Sequence, residues 1–138
     1  MFEDLSKYQT NGHFIFQKGD VLSAKSKDVP EFPGVYYILR HANGNIDLVY
    51  IGKSGTMQQN GLFKSQPLKG RINNKQAGMK RQQYFEQKIE QEKIDRLDIY
   101  WFVTFDKYHR DLPGFVEGQL IQRYFNLHGC LPPWNKEF

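Results

Sequence analysis

Cysteine is almost absent from the chain: Cys130 stands alone among 138 residues, so no internal disulfide can form. The four histidines, His13, His41, His109 and His128, pair with no cysteine or with each other at metal-ligand spacing, which excludes a structural zinc site. No apolar run approaches the roughly eighteen residues that a membrane-spanning helix needs. The opening Met1-Phe2-Glu3-Asp4 has neither a basic stretch nor an apolar one, so no signal peptide is expected and the expected compartment is the cytoplasm. Internal repeats and low-complexity tracts are lacking too. The length suits one compact domain with a modest core rather than two.

Negative charge is missing where it would be most telling. Between Leu48 and Phe85 there is no acidic residue, while seven cations occur: Lys53, Lys64, Lys69, Arg71, Lys75, Lys80 and Arg81. The net charge of +4 is mild, but its concentration in one segment suits a phosphate backbone. A solvated basic face is the plain alternative. Lys64, Lys69, Lys75, Lys80 and Arg81 are the candidate nucleic-acid contacts.

What is present reads as alternating strands and helices. Residues 1–30 hold short apolar patches at Phe14-Ile15-Phe16 and Val21-Leu22, which predict one or two extra strands or an arm packed on a domain spanning 31–138. Val35 to Leu39 favours a strand by residue type. Asn43-Gly44-Asn45 supplies a turn, and Ile46 to Ile51 forms a second strand ending at Gly52. Residues 53–67 read as a long loop and 68–76 as a short, helix-like stretch. Met79 to Ile94 reads as a helix, Leu97 to Phe105 as the strongest strand, and Asp111 to about Gly129 as a helix with Pro113 just inside. The expected fold is α/β: a small sandwich with a central three-stranded antiparallel sheet flanked by helices, plus the N-terminal arm.

Glu117 is the most informative side chain. At about 100° per residue, Leu112, Val116, Leu120, Ile121, Tyr124, Phe125 and Leu127 share one broad arc of the last helix, and Glu117 falls inside it. A carboxylate on an apolar face must be paired, ligated or protonated. A structural salt bridge, or a rim position from which the carboxylate reaches water, is the plain arrangement, and a ligand site the other.

Gly34-Val35-Tyr36 and Tyr50-Ile51-Gly52 resemble the paired motifs of the GIY-YIG nuclease family, with Val for the usual Ile. Lys53 follows the second motif, Arg71 stands in a short helical context, Glu117 lies on a later helix, and Asn135 resembles the family's terminal asparagine within Pro132-Pro133-Trp134-Asn135. The resemblance implies a metal-dependent endonuclease that hydrolyses DNA phosphodiester bonds. Its site would comprise Tyr36, Tyr50, Lys53, Arg71, Glu117 and Asn135, with Glu117 holding Mg²⁺ or Mn²⁺. The gap from Gly52 to Arg71 is longer than in compact members, and Lys75 stands where several carry a Tyr or His.

In that reading Arg71 binds the non-bridging phosphate oxygens, and Tyr50 or Tyr36 orients the attacking water and takes its proton. Lys53 would favour tyrosinate at Tyr50, and Asn135 would brace the site. The substrate would be duplex or branched DNA. One metal site cuts one strand, so double-strand cleavage would need a homodimer or sequential nicking. The alternative is a non-catalytic nucleic-acid-binding module of the same fold.

Hairpin parity decides which phenols meet. For Tyr36 and Tyr50 to share a face, paired residue numbers must sum to an even value, as a three-residue loop at Asn43 to Asn45 provides. A two-residue Asn-Gly turn would set Tyr37 beside Tyr50. The family resemblance favours the three-residue loop.

Overall fold

A computed structural model describes residues 2–64 and 67–138. After a 3₁₀ turn (Glu3–Lys7), the elements in chain order are β1 (Asn11–Phe16), α1 (Leu22–Lys25), β2 (Gly34–Ala42), β3 (Asn45–Ser54), β4 (Thr56–Met57), β5 (Phe63–Lys64), α2 (Leu68–Ile72), β6 (Lys75–Gln76), β7 (Met79–Lys80), α3 (Arg81–Gln91), β8 (Arg96–Val103) and α4 (Pro113–His128). Among the described residues no helix is long and apolar enough to cross a membrane.

The main sheet has four strands, not the three expected, in the antiparallel order β1-β8-β2-β3. Residues 11–16 are therefore an integral edge strand, paired with β8 along its whole length. The Val21-Leu22 patch, by contrast, is no strand: Leu22 opens the one-turn helix α1 and buries its side chain. Four residues are too few for an isolated helix to be stable, so burial of Leu22 is what holds this turn.

Both faces of the sheet are covered, and this explains the near-continuous apolar character of its central strands. One core joins Tyr36, Ile38, Val49, Leu97, Ile99 and Trp101 to Leu68, Ile72, Phe85 and Ile89 of α2 and α3. The other joins Val35 and Ile51 to Leu5, Tyr8 and the α4 residues Val116, Leu120, Ile121 and Tyr124. On α4 the buried stripe is narrower than the expected arc, for Leu112, Phe125 and Leu127 are exposed. Leu112, not Asp111, occupies the N-cap, with Pro113 at the first position, while Asp111 accepts a 2.6 Å hydrogen bond from the Tyr8 hydroxyl. Gly129 closes the helix in the left-handed region, as its position suggests.

The β2–β3 hairpin turns on two residues, not three. Asn43 and Gly44 both have positive φ (54° and 76°) between the partners Ala42 and Asn45, the signature of a type I′ turn. Parity near the turn is therefore odd. Between Ile38 and Leu39 the register then shifts: Leu39 pairs with Leu48, Ile38 with Tyr50, and Val49 is left over as a bulge. Beyond the bulge parity is even, and Tyr36 and Tyr50 share a face. The expectation was right about the tyrosines and wrong about the loop.

Gly34 and Gly52 are glycines for reasons of space. A Cβ on Gly34 would lie 2.0 Å from the Phe102 carbonyl oxygen, and one on Gly52 would lie 2.5 Å from the Tyr36 ring. At Gly118, by contrast, a Cβ would make an ordinary 3.7 Å contact with Phe138. Gly34→Ala is expected to cost about 2–3 kcal/mol through forced strand separation, and Gly118→Ala to gain about 0.5–1 kcal/mol of helix stability. Urea denaturation of the two variants checks this; equal stabilities would contradict the close packing of β2 on β8.

Candidate active site

The hairpin delivers its two tyrosines to the α3 side of the sheet. Tyr36 is fully buried, its ring over Gly52, and its centroid lies 6.0 Å from that of Tyr50. Only Tyr50 of the pair retains partial exposure. A substrate from solution would therefore meet Tyr50, with Tyr36 behind it.

Arg81 fills the space beneath them. Its Nη1 donates a 3.1 Å hydrogen bond to the Tyr36 hydroxyl, and its guanidinium carbon lies 5.7 Å and 5.3 Å from the Tyr36 and Tyr50 ring centroids. With 2% exposure it is no surface phosphate contact, contrary to its place in the basic segment of the sequence. The missed signal was periodicity. Arg81, Tyr84, Phe85 and Ile89 recur at helical spacing, so Arg81 begins the stripe that α3 buries.

Arg71 reaches the site through structure in the long loop. The chain leaves β3, folds back as the β4–β5 ladder, where Thr56 pairs with Lys64, and enters α2, whose Leu68 and Ile72 anchor it to the core. Arg71 is exposed, and it acts electrostatically on both Tyr50 and Glu117. Glu117 enters from α4, between the buried Val116 and the Leu120–Ile121 pair. These groups come from helices on opposite faces of the sheet, and they influence one another beside β3, an edge strand of that sheet.

Asn135 completes that edge. Its side-chain oxygen accepts from Ile51 N at 3.0 Å and its amide nitrogen donates to Ile51 O at 2.9 Å, while Trp134 N donates to Val49 O at 2.8 Å. One carboxamide thus satisfies both backbone groups that Ile51 turns away from β2, fixing the strand between Tyr50 and Gly52.

The electrostatics assign the cations differently from the sequence reading. Lys53 lies three residues from Tyr50 and so projects to the opposite face. There it favours the ionised form of Glu117. The cations acting on Tyr50 are Arg81 and Arg71, and burial together with the neighbouring Tyr36 outweighs them, holding the Tyr50 hydroxyl well above its usual range. Lys53 therefore does not prime a tyrosinate. Glu117 is pushed up from 4.5 to about 7 by burial, against the pull of Lys53 and Arg71.

Of the other candidate phosphate contacts, Lys64, Lys75 and Lys80 are exposed, and Lys69 is half-buried with its Nζ 3.5 Å from the Lys27 carbonyl. Lys75 and Lys80 are paired directly across the β6–β7 ladder. Among the described residues no three His, Cys, Asp or Glu side chains group as a ready-made metal cage. Comparison of the chain with protein-family models, with curated proteins and with solved structures gives no match.

The raised Glu117 carboxyl has a consequence for stability. Between about pH 4.5 and 7 the folded protein holds a proton that the unfolded chain releases, so stability is full below that window and falls as pH rises through it. Glu117→Gln removes the charge and keeps the shape. In metal-free buffer it is expected to match the wild type near pH 4–5 and to exceed it near pH 8 by on the order of 2 kcal/mol. Thermal unfolding at both pH values checks this; a variant no more stable in alkali would mean that Glu117 is not desolvated.

Proposed function

We propose that the chain is a metal-dependent endonuclease of the GIY-YIG type that hydrolyses DNA phosphodiester bonds. The observation that carries this reading is the convergence of a desolvated carboxylate, Glu117, with Lys53, Arg71 and Tyr50 at the hairpin made by Gly34-Val35-Tyr36 and Tyr50-Ile51-Gly52. Support for a polyanionic substrate comes from the exposed Lys75 and Lys80, which face each other across a two-residue ladder. Like charges so placed repel, and a phosphate backbone relieves that repulsion.

A divalent cation, Mg²⁺ or Mn²⁺, fits Glu117. No hydrogen bond or ion pair from the described residues ends on its carboxylate, and a hydrated Mg²⁺ takes one or two carboxylates while keeping several waters. Such a cation supplies charge neutralisation at the phosphoryl oxygens and the leaving 3′-oxygen. The chain's own groups do the rest. Arg71, exposed and cationic, binds the non-bridging oxygens and stabilises the charge that builds on them. Tyr50 orients the attacking water by hydrogen bonding. Because its hydroxyl is held protonated at neutral pH, its capacity to take the water's proton grows only as pH rises. Tyr36 and Asn135 hold Tyr50 and its strand in place, and Lys53 keeps Glu117 ionised at lower pH than burial alone would permit.

Wild-type protein is expected to cut plasmid or branched DNA with Mg²⁺ or Mn²⁺ and not after chelation, and Glu117→Ala to bind DNA without cutting. Cleavage by folded Glu117→Ala would remove Glu117 from the mechanism, whereas wild-type binding without cleavage would identify a binding module instead. Lys53→Met removes a group that lowers the Glu117 pKa, so the acid limb of the pH–rate profile should move to higher pH. An unmoved limb would take Lys53 out of the site.

A further inference from the structure

Arg81 is a cation that the fold accommodates at two kinds of cost. It is 2% exposed, yet no carboxylate among the described residues pairs with it, and its Nε has no hydrogen-bond partner. It is also the first residue of α3, where the helix dipole disfavours positive charge. Its polar partner is the Tyr36 hydroxyl, and the rest of its surroundings are the faces of Tyr36, Tyr50 and Phe85. A buried guanidinium facing phenols instead of an acid stabilises negative charge on those phenols or on whatever they bind.

We propose that Arg81 is a positioning residue of the active site, fixing the Tyr36 hydroxyl and, through the ring faces, the attitude of Tyr50. The assignment of a catalytic consequence rests on the nuclease reading. Arg81 acts through the tyrosines and not on substrate, because its burial leaves no path to solvent. The groups that act on Tyr50 come from four elements: Tyr36 on β2, Arg81 on α3, Arg71 on α2 and Glu117 on α4, with Arg81 the stronger of the two cations.

The test uses the full chain with Arg81→Met, Arg81→Lys, Tyr36→Phe and the Met/Phe double variant, each checked for folding. With Mg²⁺ and DNA, Arg81→Met is expected to lower kcat about 10–100-fold with KM within about twofold, the signature of misplaced groups. Arg81→Lys keeps the charge but loses the planar fork, and should recover part of kcat. The double variant should be no worse than Arg81→Met alone, since one residue works through the other. Wild-type kcat in folded Arg81→Met, or defects that multiply in the double variant, would overturn the proposal. Should Arg81→Met not fold, a kcat loss in Arg81→Lys supports the proposal and an unchanged kcat overturns it. A readout independent of cleavage is the near-ultraviolet circular dichroism of the tyrosines at neutral pH: Arg81→Met with native far-ultraviolet signal should change it, because the Tyr36 and Tyr50 rings pack on the guanidinium, and an unchanged signal overturns the assignment. If the wild type cuts no DNA, the nuclease reading fails while the circular-dichroism comparison still decides whether Arg81 positions the tyrosine pair.

Discussion

The β2–β3 ladder leaves Val49 without a partner, and the contents of both cores depend on that bulge. The Asn43-Gly44 turn sets an odd register that would put Tyr37 beside Tyr50 and send Tyr50 to the α4 side, away from Tyr36. One inserted residue reverses the parity for the rest of the hairpin, because side chains alternate with a period of two. From Val49 onward Tyr50 and Gly52 face α3, while Ile51 and Lys53 face α4. The bulge also tolerates no sliding: Tyr36 lies so close to Gly52 that any other residue at that position would strike the ring. Register, ring position and the glycine of the Tyr-Ile-Gly motif are therefore one constraint.

The same alternation distributes charge. Each face of the sheet carries a desolvated ionisable group near β3: Arg81 on the α3 side, Glu117 on the α4 side. Neither has a conventional salt-bridge partner among the described residues. Arg81 is solvated by one phenolic hydroxyl and by ring faces instead of a carboxylate, and Glu117 feels Lys53 and Arg71 without gaining enough to stay ionised below neutrality. Groups kept in this state lower stability, so a fold retains them where they serve something else. The nuclease proposal gives both a use. Glu117 is a carboxylate with lone pairs left for a cation, and Arg81 is a fixed positive charge behind Tyr50, the phenol of the pair that solvent reaches.

Much of this was legible in the sequence, for identifiable reasons. The amphipathic pattern of the last helix placed Glu117 on its buried side, and Gly129 marked its end, because helical periodicity and C-capping are local. The two motifs located the hairpin. The bulge was not legible, since no residue type demands it at Val49; it is imposed by burial of Ile51 on the α4 side and by the fit of Gly52 against the Tyr36 ring, against a turn whose own preference points the other way. β1 was underestimated because Asn11-Gly12-His13 carries little strand propensity, and pairing with β8 supplies what the residues lack. Arg81 was misread because a charge inside a basic run looks solvated. Its place on the helical wheel, in line with Phe85 and Ile89, is what separates it from the exposed Lys80.

The position of Lys53 bears on how a phenol works in such a site. A lysine next in sequence to the Tyr-Ile-Gly motif suggests a partner for the tyrosine, but three residues along a strand means the far face. The cations on the tyrosine's own side, Arg81 and Arg71, do not overcome its burial. An arriving phosphate adds negative charge and disfavours phenolate further, unless a metal ion comes with it. Under the nuclease proposal Tyr50 therefore works first as a neutral hydrogen-bonding group that aims water. The pH dependence near neutrality then belongs to Glu117, which must lose its proton before it can bind a cation. A site so arranged would be silent in acid because of its carboxylate, and would gain rate in alkali from its tyrosine. Those two limbs come from opposite faces of one sheet.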